Sequence, residues 1–191
     1  NVRGHNIDEQ GIQALGMALL TNALSSLAYV ACNKFSVQES DTTLNWAAQG
    51  LNAADVTLLS GVLKANTKVQ SMNLSGNGIR KQEAGYISEA LKFNTSLKKI
   101  NLDEQPLEIK QLKGEEPVES IDLSDKCLNV ASAVIISSLL ASNTVTKVLK
   151  LAGDDIGSEG AELIGKVLKT NTSLTSINLD GRSLQIKQLK G

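Results

Sequence analysis

Two long segments of the chain are near copies of each other, and this internal repeat restricts its possible folds more than any other feature. Residues 94–114 read NTSLKKINLDEQPLEIKQLKG, residues 171–191 read NTSLTSINLDGRSLQIKQLKG, and the two differ at six of 21 positions. The same offset of 77 aligns residues 71–74 with 148–151. A fixed period of this kind is typical of repeat architectures. We therefore expect one domain over 1–191 that contains two copies of a larger unit, at about 37–114 and 114–191.

Each copy contains short triplets of the form apolar-x-apolar. Alternation of apolar and polar residues predicts a short strand with one buried face. Seven strands are predicted in this way, at 27–29, 44–46, 72–74, 100–102, 121–123, 149–151 and 177–179. A step of 28 recurs four times between their first residues, and the first step, from 27 to 44, is the shortest.

Amphipathic segments lie between most triplets and predict five helices, because their apolar residues recur at spacings of three and four. They span about 9–20, 52–64, 81–92, 129–141 and 158–169. Asparagine tolerates the left-handed conformation that commonly ends a helix, and one follows each segment. These five predicted reversal points are Asn22, Asn66, Asn94, Asn143 and Asn171. The step from 100 to 121 holds Pro106, Gly114 and Pro117, so it predicts a short extended or single-turn return.

The repeats carry a family resemblance that covers nearly the whole chain and is clearest in one segment. Residues 69–79, VQSMNLSGNGI, match the leucine-rich-repeat consensus L-x-x-L-x-L-x-x-N-x-L. With the period of 28 and the helices, the chain resembles the ribonuclease-inhibitor-like class of that family, and it is similar to leucine-rich-repeat proteins of single-celled eukaryotes. The resemblance implies an α/β solenoid in the form of a curved horseshoe. About seven short parallel strands would line its concave side, and about five helices its convex side.

The chain also departs from the family pattern. In the family, an Asn or Cys closes the turn after each strand; here that position holds Cys32, Gln49, Asn77, Gln105, Lys126, Asp154 and Arg182. Cys32 and Asn77 fit the rule, and Asp154 can imitate it. The short first step predicts a trimmed or poorly ordered loop at about 34–41. Residues that could cap the two ends are few, so we expect a fragment of a longer array.

Composition argues against several classes of function. The formal net charge is -1, with 19 basic and 20 acidic residues, and aromatics make up 3% of the chain. Nucleic acids and anionic membranes require a basic excess, and base stacking requires aromatics, so neither partner is expected. No apolar run approaches the roughly 18 residues needed to span a bilayer. Two cysteines favour a reducing compartment, so an intracellular, cytoplasmic location is predicted, or an organelle if a transit segment was removed.

Catalytic and metal chemistry find little support. The single histidine, His5, lies near the first residue, which argues against triads and histidine bases. A carboxylate pair such as Asp103 with Asp122 is conceivable, but no apolar pocket is evident that would raise either pKa. The acidic run over 115–125 lacks the calcium-loop spacing D-x-D-x-D-G. We predict no enzyme, no cofactor, no metal and no small-molecule substrate.

A protein partner is the function that remains, because strand residues facing away from the core are available for binding. The predicted concave-face site is Asn45, Ser71, Asn73, Lys99, Asn101, Asp103, Ser120, Asp122, Lys150, Ser176, Asn178 and Asp180. Two alternatives remain open. The same polar face could be merely solvated, and the chain could be a structural or accessory subunit held permanently in a large multi-protein assembly. We also expect Cys32 and Trp46 to be buried and Cys127 to be partly exposed. The lysines of the returns are expected to form a solvated edge: Lys110, Lys113, Lys187 and Lys190.

Overall fold

The computed structural model describes residues 7–22, 29–32, 34–179 and 182–186. The fold is mixed α/β, and the chain forms two compact units, Asn1–Leu102 and Asp103–Gly191. The first unit contains α1 (Glu9–Thr21), β1 (Tyr29–Ala31), β2 (Ser36–Gln38), β3 (Thr43–Asn45), α2 (Ala53–Ala65), β4 (Ser71–Asn73), α3 (Lys81–Phe93) and β5 (Lys99–Asn101). The second contains β6 (Leu107–Glu108), α4 (Ile109–Lys113), β7 (Ser120–Asp122), α5 (Val130–Leu140), β8 (Val148–Lys150), α6 (Gly157–Thr170), β9 (Ser176–Leu179) and β10 (Arg182–Gln185).

Parallel strands form the centre of each unit. In the first unit β3 pairs with β4 and β4 with β5; in the second unit β7 pairs with β8 and β8 with β9. Every register pair joins positions one repeat of 28 apart, as Leu44 with Met72 and Ile121 with Leu149. The middle residue of each strand is buried in the core, because the strand alternates with period two. Six of the seven predicted strands are thus present as parallel strands, each beginning one residue earlier than its triplet.

The first predicted strand is different. Leu27 and Ala28 lie outside the described residues, and the strand that begins at Tyr29 pairs antiparallel with β2, as a hairpin in which Val30 faces Val37. A strand thus lies within the segment 34–41, where the sequence analysis expected a trimmed or poorly ordered loop. Phe35 and Val37 are buried, and burial of these two apolar side chains holds the segment as a strand.

The five predicted helices agree with α1, α2, α3, α5 and α6 to within one residue at every end. The return between the two copies is the single-turn helix α4, which ends at Gly114 with φ of +79°. This left-handed conformation is readily adopted by glycine, which has no Cβ. The short extended or single-turn return that was predicted from Pro106, Gly114 and Pro117 is therefore present, as β6 followed by α4.

Helices α1 and α2 lie in close contact in the first unit. A Cβ on Gly16 would lie 2.5 Å from the backbone nitrogen of Leu58, and one on Gly61 would lie 2.5 Å from Cβ of Leu19. Both glycines are therefore required for the two helix backbones to approach. Most of α2 is buried, and its Thr57 and Ser60 hydroxyls donate to the carbonyls of Ala53 and Val56, which satisfies these polar groups inside the core.

The asparagines after the helices do not adopt the predicted left-handed conformation. Asn66, Asn94 and Asn171 have extended backbones with φ between -79° and -68°, and all three are buried. Nδ2 of Asn94 donates to the carbonyls of Leu63 and Asn66 at 2.6 and 2.8 Å. Oδ1 of Asn94 accepts from the backbone N–H groups of Ser96 and Leu97. The Asn94 amide therefore joins its own turn to the preceding repeat, which makes it structural.

The second unit repeats this bridge. Nδ2 of Asn171 donates to the carbonyls of Leu140 and Asn143 at 2.7 and 2.8 Å. Nδ2 of Asn143 in turn donates to the carbonyls of Gln111 and Leu112. Because buried backbone carbonyls without partners are costly, these side chains are integral to the core.

Candidate functional site

The strand face of the first unit consists of two rows of polar side chains. The strand register places Thr43, Ser71 and Lys99 in one row, and Asn45, Asn73 and Asn101 in the other. These side chains are exposed or half-buried, whereas the residue between each pair is buried. The sequence-predicted residues Asn45, Ser71, Asn73, Lys99 and Asn101 are thus brought together on one side of this sheet.

The asparagines of the second row also fix the turns that leave the strands. Oδ1 of Asn73 accepts from the backbone N–H of Ser75 at 3.1 Å and from the Ser75 hydroxyl at 2.8 Å. Oδ1 of Asn45 accepts from the N–H of Ala47 at 3.3 Å. Such contacts two residues ahead are Asx turns. They give a local structural reason for asparagine here, one that the sequence analysis missed although the strand-turn boundary pointed to it.

In the second unit, Asp122 and Lys150 face each other across β7 and β8 and form an ion pair at 3.0 Å. The hydrogen bond from Lys150 is the main cause that lowers the pKa of Asp122 below its ordinary value, and hydrogen bonds from Ser124 lower it further. Ser120 is exposed at the start of the same strand, and Asn178 is half-buried opposite Lys150. The structure therefore brings Ser120, Asp122, Lys150 and Asn178 together, with two of them already paired to each other.

Three of the predicted site residues are placed differently or cannot be placed. Asp103 accepts hydrogen bonds from the N–H and side chain of Asn129 and from the Ser132 hydroxyl, so it serves the start of α5 and is not part of a strand face. Negative charge is favourable at a helix N-terminus, which accounts for this position. Ser176 is only 8% exposed, on a strand that also pairs with β10, so little of this residue is accessible to a partner. Asp180 lies outside the described residues.

The turn position that the family consensus reserves for Asn or Cys holds two equivalent bridges. Asn77 accepts through Oδ1 from the N–H groups of Gln49 and Leu51 at 3.0 and 3.1 Å, and its Nδ2 donates to the carbonyls of Trp46 and Leu74. In the second unit, Asp154 accepts through Oδ1 from the N–H groups of residues 126 and 128 at 2.9 and 3.1 Å. The prediction that Asp154 imitates asparagine is confirmed for the accepting oxygen.

The two cysteines differ as predicted, since Cys32 is buried and Cys127 is exposed. The Cys127 thiol donates a hydrogen bond to the Glu104 carboxylate, and this bond together with the charge of Glu104 raises the pKa of Cys127. Its φ of +54° is a left-handed conformation, at the position where the first copy has Gly50 with φ of +62°. A thiol held in its neutral form is a poor nucleophile.

Two further expectations require correction. Trp46 is half-buried, with its ring 5.0 Å from that of Phe35, because the hairpin that contains Phe35 covers only part of the indole. Lys113 is not a solvated lysine, because only 9% of its side chain is exposed and its ammonium pairs with Glu115 at 3.2 Å. Lys187 and Lys190 lie outside the described residues.

In each unit a cavity lies near a turn that follows a strand. The first, about 250 Å³, is lined by Leu51, Asn52, Ala53, Val56, Asn77, Gly78, Ile79, Arg80 and Glu83. The second, about 260 Å³, is lined by Leu151, Asp154, Asp155, Ile156, Gly157, Ala161 and Leu179. Within the described ranges, no group of three or more His, Cys, Asp or Glu side chains is arranged to hold a metal ion. None of the described helices is both long enough and apolar enough to cross a bilayer.

No protein-family model matches the chain. Among solved structures, the tropomodulin C-terminal domain from Caenorhabditis elegans is similar at 15% identity and a TM-score of 0.39, over 80% of this chain and 83% of that one. The leiomodin-1 actin-binding site 2 is similar at 20% identity and a TM-score of 0.41, over 72% and 69% of the two chains. TM-scores of this size do not establish a shared fold.

Proposed function

We propose that this protein is a non-enzymatic protein-binding module, built from leucine-rich-repeat coils, that uses the polar faces of its parallel strands. The observation that carries the proposal is the register of those strands. It places polar side chains one repeat apart in rows, with Asn45 beside Asn73 and Asp122 beside Lys150. The same strands turn their apolar residues into the core, so the polar residues are not needed there.

The spacing of the rows suits a protein surface. Neighbouring strands lie about 4.8 Å apart, so hydrogen-bonding groups recur at that interval along each row. Such a periodic array is complementary to an extended segment or to the polar rim of a partner. The rows hold no aromatic side chain and no arginine, the residue types that dominate binding hot spots, so we expect modest affinity.

The placement of the carboxylates supports a binding role over catalysis. Asp122 is engaged by Lys150, and Asp103 is engaged at the start of α5. A general acid or base needs an environment that moves its pKa towards neutrality. The pKa of Asp122 moves the other way, since Lys150 stabilises its charged form.

Steric block of each face tests the proposal. Ser71→Trp and Ser120→Trp each place a large ring on one strand face, whereas Lys166→Trp places the same ring on the exposed side of α6 and is the matched control. Proteins captured from a native extract by each variant would be quantified by mass spectrometry, after thermal melting confirms that each variant is folded. A protein kept by the control and lost with a strand-face variant supports the proposal.

Capture that is unchanged by both strand-face variants would overturn it. If the same set of proteins were lost only when α1 is altered, the permanent-subunit alternative would replace it. Leu15 and Met17 are exposed apolar side chains of α1, so Leu15→Ser with Met17→Ser is the variant for that comparison.

A further inference from the structure

The two strand faces differ chemically, although they belong to two copies of one repeat. The second copy of the repeat has Asp122 and Lys150 at the positions where the first has Asn45 and Asn73. Asp122 and Lys150 neutralise each other at 3.0 Å. Asn45 and Asn73 carry no charge and pair with their own turns.

Those turns use only the accepting half of each asparagine. Oδ1 of Asn45 accepts from Ala47, and Oδ1 of Asn73 accepts from Ser75. Within the described part of the chain, Nδ2 of Asn45 and Nδ2 of Asn73 make no hydrogen bond, and Asn45 is exposed. Asn45 and Asn73 therefore present amide N–H donors while their acceptors are consumed by the backbone.

The rest of the face in the first unit has the same character. Thr43 and Ser71 contribute hydroxyl groups, and Lys99 supplies the only formal charge of the two rows. Lys98, just before β5, is also exposed. No acidic side chain lies in either row, so the surface combines donors with positive charge.

From this asymmetry we infer that the strand face of the first unit, and not that of the second, docks an acidic segment of a partner protein in extended conformation. Carboxylates accept two or more hydrogen bonds each, and charge-assisted bonds to carboxylates are stronger than neutral ones. Side chains on alternate residues of an extended segment point to the same side, so its carboxylates would meet successive positions along a row. This inference rests on the proposed function and names the chemistry of the partner.

The test uses the exchange of asparagine for aspartate that distinguishes Asp122 from its counterpart Asn45. Asn45→Asp with Asn73→Asp keeps an oxygen that can accept from the turn, because Asp122 does so from the N–H of Ser124 at 3.1 Å. The exchange replaces each amide donor by a negative acceptor. Asn22→Asp, at the exposed end of α1, makes the same exchange outside the strand rows and is the matched control. The probe is a fluorescein-labelled peptide of alternating glutamate and serine, with a lysine-serine peptide as the charge-reversed comparison, measured by fluorescence anisotropy with the full chain.

We expect the glutamate peptide to bind the native protein and to bind the Asn45→Asp, Asn73→Asp variant at least about tenfold more weakly, since charge-assisted hydrogen bonds are lost and repulsion is added. Binding should weaken as salt is raised and should be unchanged by Asn22→Asp. If the double variant melts early, Asn45→Ser replaces it, because a serine hydroxyl can cap the same turn without the amide donors.

No binding of the glutamate peptide, equal binding to the double variant, or preference for the lysine peptide would each overturn the inference. Failure here is distinct from failure of the proposed function. A partner that is still lost with Ser71→Trp or Ser120→Trp, but is not acidic, would leave the binding module intact and remove only the partner chemistry.

Discussion

Asn77 and Asp154 accept hydrogen bonds from equivalent backbone N–H groups, but only Asn77 has a donor on its second side-chain atom. Nδ2 of Asn77 donates to the carbonyls of Trp46 and Leu74 at 2.8 Å each. The corresponding atom of Asp154 is Oδ2, which is buried and has no hydrogen-bond partner among the described residues. In the second copy of the repeat, Leu123 and Leu151 occupy the positions of Trp46 and Leu74, whose carbonyls accept from Asn77.

Exchanging these two side chains should therefore have opposite effects. Asp154→Asn should raise the free energy of unfolding by about 1 kcal/mol, because a buried oxygen without a partner becomes a donor. Asn77→Asp should lower it by about 1–3 kcal/mol, because two donated bonds are lost. Urea unfolding followed by circular dichroism measures both, with Asp155→Asn on the exposed neighbour as the control. Changes of the same sign would contradict the assigned geometry.

At Gly16 and Gly61, where α1 and α2 cross, an added Cβ should destabilise the protein. Gly16→Ala and Gly61→Ala should each lower the free energy of unfolding by about 1–3 kcal/mol, since the added carbon would lie 2.5 Å from atoms of the facing helix. Gly85→Ala and Gly165→Ala are matched controls in α3 and α6, where the new methyl group would meet nothing within 4 Å. These controls should gain about 0.5–1 kcal/mol from helix propensity. Thermal melting of the four variants compares them, and equal effects at all four positions would show that the helices do not approach so closely.

The buried asparagine bridges should contribute strongly to stability. Asn94→Ala leaves buried carbonyls and N–H groups without their partners, so we expect a loss of about 3–5 kcal/mol. Asn22→Ala is the control, because Asn22 follows α1 in the same manner but is exposed, and its partner among the described residues is the Ala18 carbonyl. That control should change stability by less than about 0.5 kcal/mol. Chemical denaturation distinguishes the two, and similar small losses would mean that the bridge is not buried in solution.

The reactivity of Cys127 should depend on Glu104. The pKa of Cys127 is raised mainly by its hydrogen bond to that carboxylate, so alkylation should be slow at neutral pH and should accelerate only at higher pH than for an unperturbed thiol. Glu104→Gln removes the charge and should shift the pH profile of iodoacetamide labelling to lower pH. The buried Cys32 provides an internal reference that should remain unlabelled in the folded protein. An unchanged profile in the variant would exclude the contact.

The ion pair on the second strand face should give a small, pH-dependent stabilisation. The pKa of Asp122 in the folded protein lies below the ordinary value of 3.8, so the stabilisation is present above that value and is lost as the pH falls through the folded pKa. Both side chains are substantially exposed, so a double-mutant cycle with Asp122→Asn and Lys150→Met should give about 0.2–1 kcal/mol. Unfolding measured at neutral pH and at a pH well below the folded pKa, with and without high salt, tests this. A coupling that survives at low pH would contradict it.

Much of the local structure was predictable because it follows from short-range periodicity. The triplets gave β3, β4, β5, β7, β8 and β9, and the spacing of apolar residues gave five helices. The hairpin of β1 and β2 was missed, because its pairing depends on which partner buries Phe35 and Val37 and no local pattern reveals that. The asparagines were misread for the same reason. Their bonding partners lie far back along the chain, on the preceding repeat.

The candidate site was predictable in part. Strand alternation correctly placed Asn45, Asn73, Asp122 and Lys150 on polar faces. It failed for Asp103, where the chain has left β5 and an anionic side chain is better placed against the first turn of α5. It failed for Ser176 because β10 adds an antiparallel neighbour, which requires knowledge of tertiary pairing.

Cross-linking of the natively isolated protein, followed by mass spectrometry, tests the central claim most directly. Lys99, Lys147 and Lys150 lie on or beside the strands, whereas Lys92 and Lys166 lie on helices α3 and α6. If the strand faces bind a partner, cross-links to one other protein should concentrate at Lys99, Lys147 and Lys150. Cross-links that come mainly from Lys92, Lys166 and the lysines of the returns, and that reach several proteins of one stable particle, would contradict the strand-face assignment.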